Sequence, residues 1–229
     1  MPNCSLSNEH TSNTAIMTLT MHNEGKFNPT SLAEFNQALD QVLADESLTG
    51  LLISGEEKTF AQGLDLEYLT AEKPDIAMEF VHQCMQMIGR LLRFPMPVVS
   101  AINGHAFGLG AMIALASDYQ VMREDRGYFC LPEVDLGMVL IPSMNALVIN
   151  KMNNKAVRDS LLTGSKISGP SAQAAGFIDQ CCSLDTIFIE AEKIIAPMLG
   201  KNRHAVGGLK EGINQAILAH INPDQNRFS

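Results

Sequence analysis

PVVSAINGHAFGLGAMIALASD, residues 97–118, sets the architecture of this chain. Val98 to Ile102 is an apolar run of strand length. Gly104 to Gly110 is a glycine-bearing turn, and Ala111 to Ala116 is an apolar helix. A buried strand that breaks at glycines and restarts as a helix leaves unpaired N–H groups at the helix start. Such a place holds negative charge, either a bound anion or an oxyanion formed during a reaction.

The same grammar extends in both directions. Upstream, Leu51 to Ile53 reads as a buried strand ended by Ser54-Gly55. EEKTFAQGLDLEYL (56–69) then runs through a bend at Gly63 into a short helix. Between these and the opening stretch, Ile76, Phe80, Val81, Cys84, Met87, Ile88, Leu91 and Leu92 form the apolar stripe of a long surface helix, stopped by Pro95 and Pro97. Ala15 to Met21 is a further strand. Ser31 and Glu34 make a capping box for a helix carrying Leu32, Phe35, Leu39 and Val42. Downstream, Tyr119 to Met122 is a strand, and a charged turn leads into YFCLPEVDLGMVLIP (128–142). From Met152 onward the pattern is helical: Asn153 to Leu162, Pro170 to Ala175, Ile187 to Leu199 and His204 to Leu218. Strands alternating with helices predict an α/β chain with a largely parallel sheet. No internal sequence repeat or linker interrupts it. The expected organisation is a disordered polar leader (1–14) and one domain (15–229), with a core over 15–150 and a helical region over 151–229.

Composition narrows the partners. Hydrophobic residues make up 46% and charged residues 18%, which is globular, and the net charge of −9 argues against nucleic acid or an anionic membrane surface. An anionic small molecule held by local cations remains open. Five cysteines without a CxxC pair suggest reduced, buried thiols. There is no stretch of membrane-spanning length, no signal-peptide pattern, and the terminal Arg-Phe-Ser is not a peroxisomal address, so the expected location is cytoplasmic.

Two glycine turns are placed for chemistry, Ala61 to Asp65 and Gly104 to Gly110. In a parallel sheet both emerge at the carboxyl ends of strands, where ligands collect. The N–H groups of Leu64 and Leu109 could therefore converge on one oxygen; two ordinary turns needing positive φ are the alternative. GHAFGLG is not GxGxxG and no GK[ST] follows, so neither nucleotide fingerprint is met. Glu133, set among Leu131, Pro132, Val134, Leu136 and Met138, is a carboxylate in apolar surroundings, where desolvation makes it a usable base. An exposed loop acid is the alternative, and Asp135 is its rival, sharing its face if the segment is a strand. His105 reads as a packing or hydrogen-bonding residue, and Cys130 as an inert buried thiol.

FAQGLDL (60–66), PVVSAINGHAFGLGAMIALASDY (97–119) and YFCLPEVDLGM (128–138) together resemble the crotonase, or enoyl-CoA hydratase/isomerase, superfamily. LLTGSKISGPSAQAAGFID (161–179) is a weaker fourth segment. The resemblance implies a crotonase fold of repeated ββα units with a helical C-terminal region that forms a homotrimer or a dimer of trimers. It implies an acyl-CoA thioester as substrate, with coenzyme A part of that substrate and no separate cofactor or metal. The Leu64 and Leu109 amides would form the oxyanion hole. Phe27, Ala61, Gln62, Gly63, Asp65, Leu66 and Gly108 would line the substrate path, and Phe107, Met112 and Leu140 the acyl pocket. Lys210 matches the general location of a family lysine near the CoA phosphates, with a solvated helix face as the alternative. Hydratases of the family carry a second glutamate where this chain has Met112, so Glu133 remains as a single base. That pattern, with Leu109, resembles the Δ3,Δ2-enoyl-CoA isomerases. The rivals are hydration, thioester hydrolysis, decarboxylation and a non-catalytic acyl-CoA-binding subunit.

Overall fold

The computed structural model describes residues 2–221. Its main sheet has six strands in the order β1 (Cys4–Ser7), β2 (Ile16–Met21), β4 (Gly50–Ser54), β7 (Val98–Ile102), β9 (Tyr119–Arg123) and β11 (Gln180–Cys182). All neighbours are parallel except β1 on β2. A three-stranded sheet sets β8 (His105–Phe107) between β10 (Phe129–Cys130) and β5 (Thr59–Ala61), and β3 (Lys26–Phe27) pairs with β6 (Gly63–Leu64). The helices are α1 (Pro29–Ala44), α2 (Leu66–Ala71), α3 (Pro74–Leu92), α4 (Leu109–Ala116), α5 (Pro142–Lys151), α6 (Asn154–Thr163), α7 (Gly169–Ala174), α8 (Ile187–Ile195), α9 (Arg203–Ile213) and α10 (Gln215–Ile221). The expected ββα repeat is present. β4–β5, β7–β8 and β9–β10 each send one strand to the large sheet and one to the small sheet before returning through a helix.

The central strands are buried on both faces, as the unbroken apolar runs in β4 and β7 require. Leu19, Leu51, Ile53 and Val98 face the larger core with α1, α3 and α4, whereas Ile16, Leu52, Val99 and Ala101 face α8. No helix among the described residues is long and apolar enough to cross a membrane.

Three expectations need correction. Residues 4–7 of the leader are an ordered edge strand, antiparallel to β2 with Leu6 opposite Leu19. The stretch looks polar because its side chains alternate. Cys4 and Leu6 pack on the larger core, while Ser5 and Ser7 take the other face. Helix α1 starts earlier than the Ser31–Glu34 box. Asn28 is its cap, accepting from Thr30 and Ser31 N–H, with Pro29 in the first turn. Glu34 instead accepts from the Asn3 N–H at 2.6 Å and ties down β1. The last predicted helix is broken at Asn214, whose side chain donates to Leu92 O at 2.8 Å and Lys210 O at 2.9 Å. The terminal Arg-Phe-Ser lies outside the described residues.

Lys210 is on neither a ligand site nor a solvated face. It is 6% exposed, and its Nζ donates to Asp118 Oδ2 at 2.7 Å and Met96 O at 3.2 Å. Asp118 also accepts from Val98 N–H at 2.8 Å, so this ion pair clamps α9 onto the start of β7 and the end of α4. Breaking a buried pair leaves an uncompensated charge. Lys210→Met is therefore expected to lower unfolding free energy by about 3 kcal/mol in urea titration, and Asp118→Asn in the same background to restore part of it.

Candidate active site

The site starts from two main-chain segments held in contact. β3 pairs with β6 in the register Phe27 to Leu64, and Asp65 N–H donates to Phe27 O at 2.8 Å. Successive N–H groups of a strand alternate in direction, so the Leu64 N–H points away from β3. Gly63 has φ +91°, and a Cβ there would lie 2.6 Å from Phe107 O and 2.7 Å from Leu109 N. Reciprocally, a Cβ on Gly110 would lie 2.2 Å from Ala61 O. Only glycine permits this approach, and it sets the Gly63-Leu64 segment directly against the start of α4.

Helix α4 begins at Leu109, two residues before the Ala111 start predicted from sequence, because the glycine turn contains the short strand β8. Gly108 caps it with φ +50°, its own N–H donating to Cys130 O at 3.0 Å. The first bond inside the helix runs from Met112 N–H to Gly108 O at 3.0 Å, so the Leu109, Gly110 and Ala111 N–H groups have no partner within the helix. Asn103, just before the second glycine turn, ties that turn to the 55–59 loop that leads into the first. Its Oδ1 accepts from Gly55 N–H at 3.0 Å, and its Nδ2 donates to Thr59 O at 3.5 Å.

A cavity of ≈ 200 Å³ opens at this junction, lined by Gln62, Leu64, Leu66, Phe107, Gly108, Leu109, Met112, Pro132, Glu133, Leu136, Met138 and Met144. Among the described residues its single ionisable lining group is Glu133. Glu133 does not sit in a strand. Residues 132–138 wind into turns, with Leu136 N–H donating to Pro132 O at 3.2 Å and Met138 N–H to Glu133 O at 2.8 Å. This winding brings Glu133 and Leu136 to the cavity together. It sends Asp135 elsewhere, over Gly164. Asp135 therefore does not share the face of Glu133. Oε2 of Glu133 is buried without a hydrogen-bond partner among the described residues. Burial raises its pKa above the ordinary carboxylate range, against a smaller lowering from a backbone hydrogen bond.

Of the residues expected to meet substrate, Gln62, Leu64, Leu66, Phe107, Gly108, Leu109, Met112 and Glu133 line this cavity. The others are nearby supports or lie apart. Phe27 is buried, edge-on to Phe35 at 5.7 Å, and holds Leu64 through β3. Ala61 and Gly63 contribute the close backbone approach, and Asp65 caps α2 by accepting from Glu67 and Tyr68 N–H. Leu140 packs on the core without lining the cavity, and Lys210 is in the clamp described above. Pro132, Leu136, Met138 and Met144 complete the wall. Met144, in the first turn of α5, is the one that nothing in the sequence marks, whereas Pro132, Leu136 and Met138 belong to the apolar flank of Glu133. His105 lies between Phe107 and Tyr128, at 5.1 and 5.6 Å between ring centroids. Burial, then Arg126 and Lys166, hold its pKa down. Cys130 is buried with Sγ donating to Gly164 O at 3.3 Å, and burial raises its pKa, as an inert thiol requires.

The sequence profile of the enoyl-CoA hydratase/isomerase family matches residues 11–226. The chain is 35% identical over 170 residues to enoyl-CoA delta isomerase 3 of Arabidopsis thaliana, covering 72% of this chain and 71% of the relative. It is 33% identical over 171 residues to a putative enoyl-CoA hydratase of Thermus thermophilus, covering 72% and 66%. In fold it is similar to human mitochondrial delta3-delta2-enoyl-CoA isomerase, with a TM-score of 0.85 at 21% identity over 97% of this chain and 87% of that one. A cavity built from two glycine-apposed backbone turns and one desolvated glutamate, on three ββα units, thus sits in a chain that belongs to the enoyl-CoA hydratase/isomerase family and has the crotonase fold.

Proposed function

We propose that this protein is a Δ3,Δ2-enoyl-CoA isomerase working with one base. The observation that carries the reading is the cavity wall, whose single ionisable group among the described residues is Glu133; Met112, the position that the family resemblance matches to the second glutamate of hydratases, lines it too. In this reading a 3-enoyl thioester lies with its carbonyl oxygen at the Leu64 and Leu109 amides and its α-carbon against Glu133. The ionised carboxylate takes a proton from that carbon. The electron pair moves onto the thioester oxygen as a dienolate held by the two N–H groups. Glu133 then returns the same proton two carbons further along, and the double bond comes to rest in conjugation with the carbonyl. Atoms and charge balance without water. Adding water would need a second acid or base, and apart from Glu133 the wall offers only the amide of Gln62, which can hydrogen-bond a water but cannot exchange its proton, and apolar side chains such as Met112.

The test is a panel of acyl-CoA esters analysed by mass and ultraviolet absorbance. The expected result is a product of unchanged mass with the absorbance of a conjugated 2-enoyl thioester. A gain of one water would establish a hydratase, release of CoA a hydrolase, and tight binding without turnover a non-catalytic subunit.

A further inference from the structure

Ser5, His22 and Glu56 form a hydrogen-bonded chain that shares no lining residue with the cavity. Ser5 Oγ lies 2.8 Å from His22 Nε2, and His22 Nδ1 lies 3.1 Å from Glu56 Oε2. The carboxylate fixes the proton of the ring on Nδ1, which leaves Nε2 as an acceptor facing the serine hydroxyl. This is the order of nucleophile, base and orienting acid that activates a serine. We propose that Ser5, His22 and Glu56 are a second reactive site, able to hydrolyse small activated acyl esters through an acyl-serine.

Three further features support it. First, the groups are reachable: the His22 side chain is 22% exposed, Glu56 54%, and Ser5 half-buried. Ser5 lies on the edge strand, on the face opposite Cys4 and Leu6, which pack inward. Second, an N–H is placed for the oxyanion. His22 N–H donates to Asn3 O at 2.8 Å, so the ladder alternates to put the Ser5 N–H on Thr20 and to point the Leu6 N–H at the open sheet edge. The residue after the nucleophile is the one whose amide serves hydrolases of other folds. Third, the loop after His22 is held in an unusual shape. Asn23, Glu24 and Gly25 all have left-handed φ, at 50°, 60° and 60°. Gly25 N–H to His22 O at 2.8 Å and Asn23 Nδ2 to Asn3 Oδ1 at 3.0 Å fix it beside β1. Strain on non-glycine residues concentrates where a side chain must be held for function.

The step is balanced with water as the only co-reactant. Ser5 Oγ bonds to the acyl carbon as its proton passes to His22 Nε2, and the carbonyl pair moves onto oxygen. Collapse breaks the bond to the leaving group, which takes the proton from His22. Water then attacks the acyl-serine, giving one proton to His22, and the acid departs as that proton returns to Ser5 Oγ.

The experiment uses the full chain carrying Glu133→Gln, so that the cavity supplies no base, with p-nitrophenyl acetate as substrate and a fluorophosphonate as probe. The expected result is a fluorophosphonate adduct on the Ser5 peptide by mass spectrometry, with p-nitrophenol release falling by ~10² or more in Ser5→Ala and His22→Ala. An unlabelled Ser5 overturns the proposal, as does release unchanged in either variant. If Ser5→Ala fails to fold, labelling of the unsubstituted serine decides. A hydrogen bond serving only to anchor β1 would not produce the adduct.

Discussion

Replacing Glu133 by Gln is expected to lower kcat/KM for 3-enoyl-CoA isomerisation by ~10²–10⁴, measured by the rise of conjugated-thioester absorbance. The substitution keeps the shape of the side chain and removes the carboxylate proposed to take the carbon-bound proton. Affinity for an acyl-CoA product should change little, because the amides that hold the carbonyl are untouched. Retention of most of the rate would show that the base lies elsewhere. The pH dependence follows from burial. The pKa of Glu133 is raised, so the acid limb of the rate profile should lie above the ordinary carboxylate range, and activity should be lost as pH falls through it. Stability runs the other way. The folded state holds this proton more tightly than the unfolded chain, so stability falls as pH rises from the ordinary carboxylate range through the raised value. Above that value the wild type carries an ionised, unpartnered oxygen in an apolar wall. Glu133→Gln should therefore be more stable than wild type at alkaline pH, a gain in fold that accompanies the loss of function.

The second large effect concerns Gly63. Gly63→Ala is expected to cost ~10² or more in kcat together with about 1–3 kcal/mol of stability. The added methyl would meet Leu109 N at 2.7 Å and Phe107 O at 2.6 Å, and backbone cannot step aside as a side chain can. The start of α4 would have to move away from β6, separating the two N–H groups that must meet at one oxygen. Gly176→Ala supplies the control, since Gly176 also has positive φ, at +78°, but nothing lies within 4 Å of the added carbon. It should lose less stability, from the φ strain alone, and keep its rate. Equal kinetics for the two variants would remove the oxyanion hole from Leu64 and Leu109.

The fold was legible wherever apolar runs and glycines agreed. β4, β7 and α4 follow directly from Leu51 to Ile53 and from the 97–118 stretch, because a strand buried on both faces needs an unbroken apolar run. The small sheet was not legible. β5, β8 and β10 are two or three residues long, too short for any periodicity, and they exist because neighbouring turns pair with one another. The same holds for the ββα repeat, which recurs in space without self-similarity in sequence. Glu133 could be picked out from its apolar flank, but its direction could not. Alternation would have placed Asp135 beside it, whereas the winding at Pro132 separates them. Lys210 is illegible for a related reason: a lysine on a mixed helix gives no sign of its partner Asp118, far away in sequence.

The braced backbone turns have a consequence for genetics. In the proposed site both oxyanion donors are peptide groups, so any residue but proline at 64 or 109 still presents the N–H, and alanine there would cost packing rather than the donor, most of all at the buried Leu109. The mutational signature of this site should instead be a sparse one. Glu133 would stand alone among side chains that take part in the chemistry, with much of the remaining sensitivity falling on the glycines that set the backbone and on Asn103 behind them. Positions such as 112 are then free to change the chemistry while the hole stays as it is.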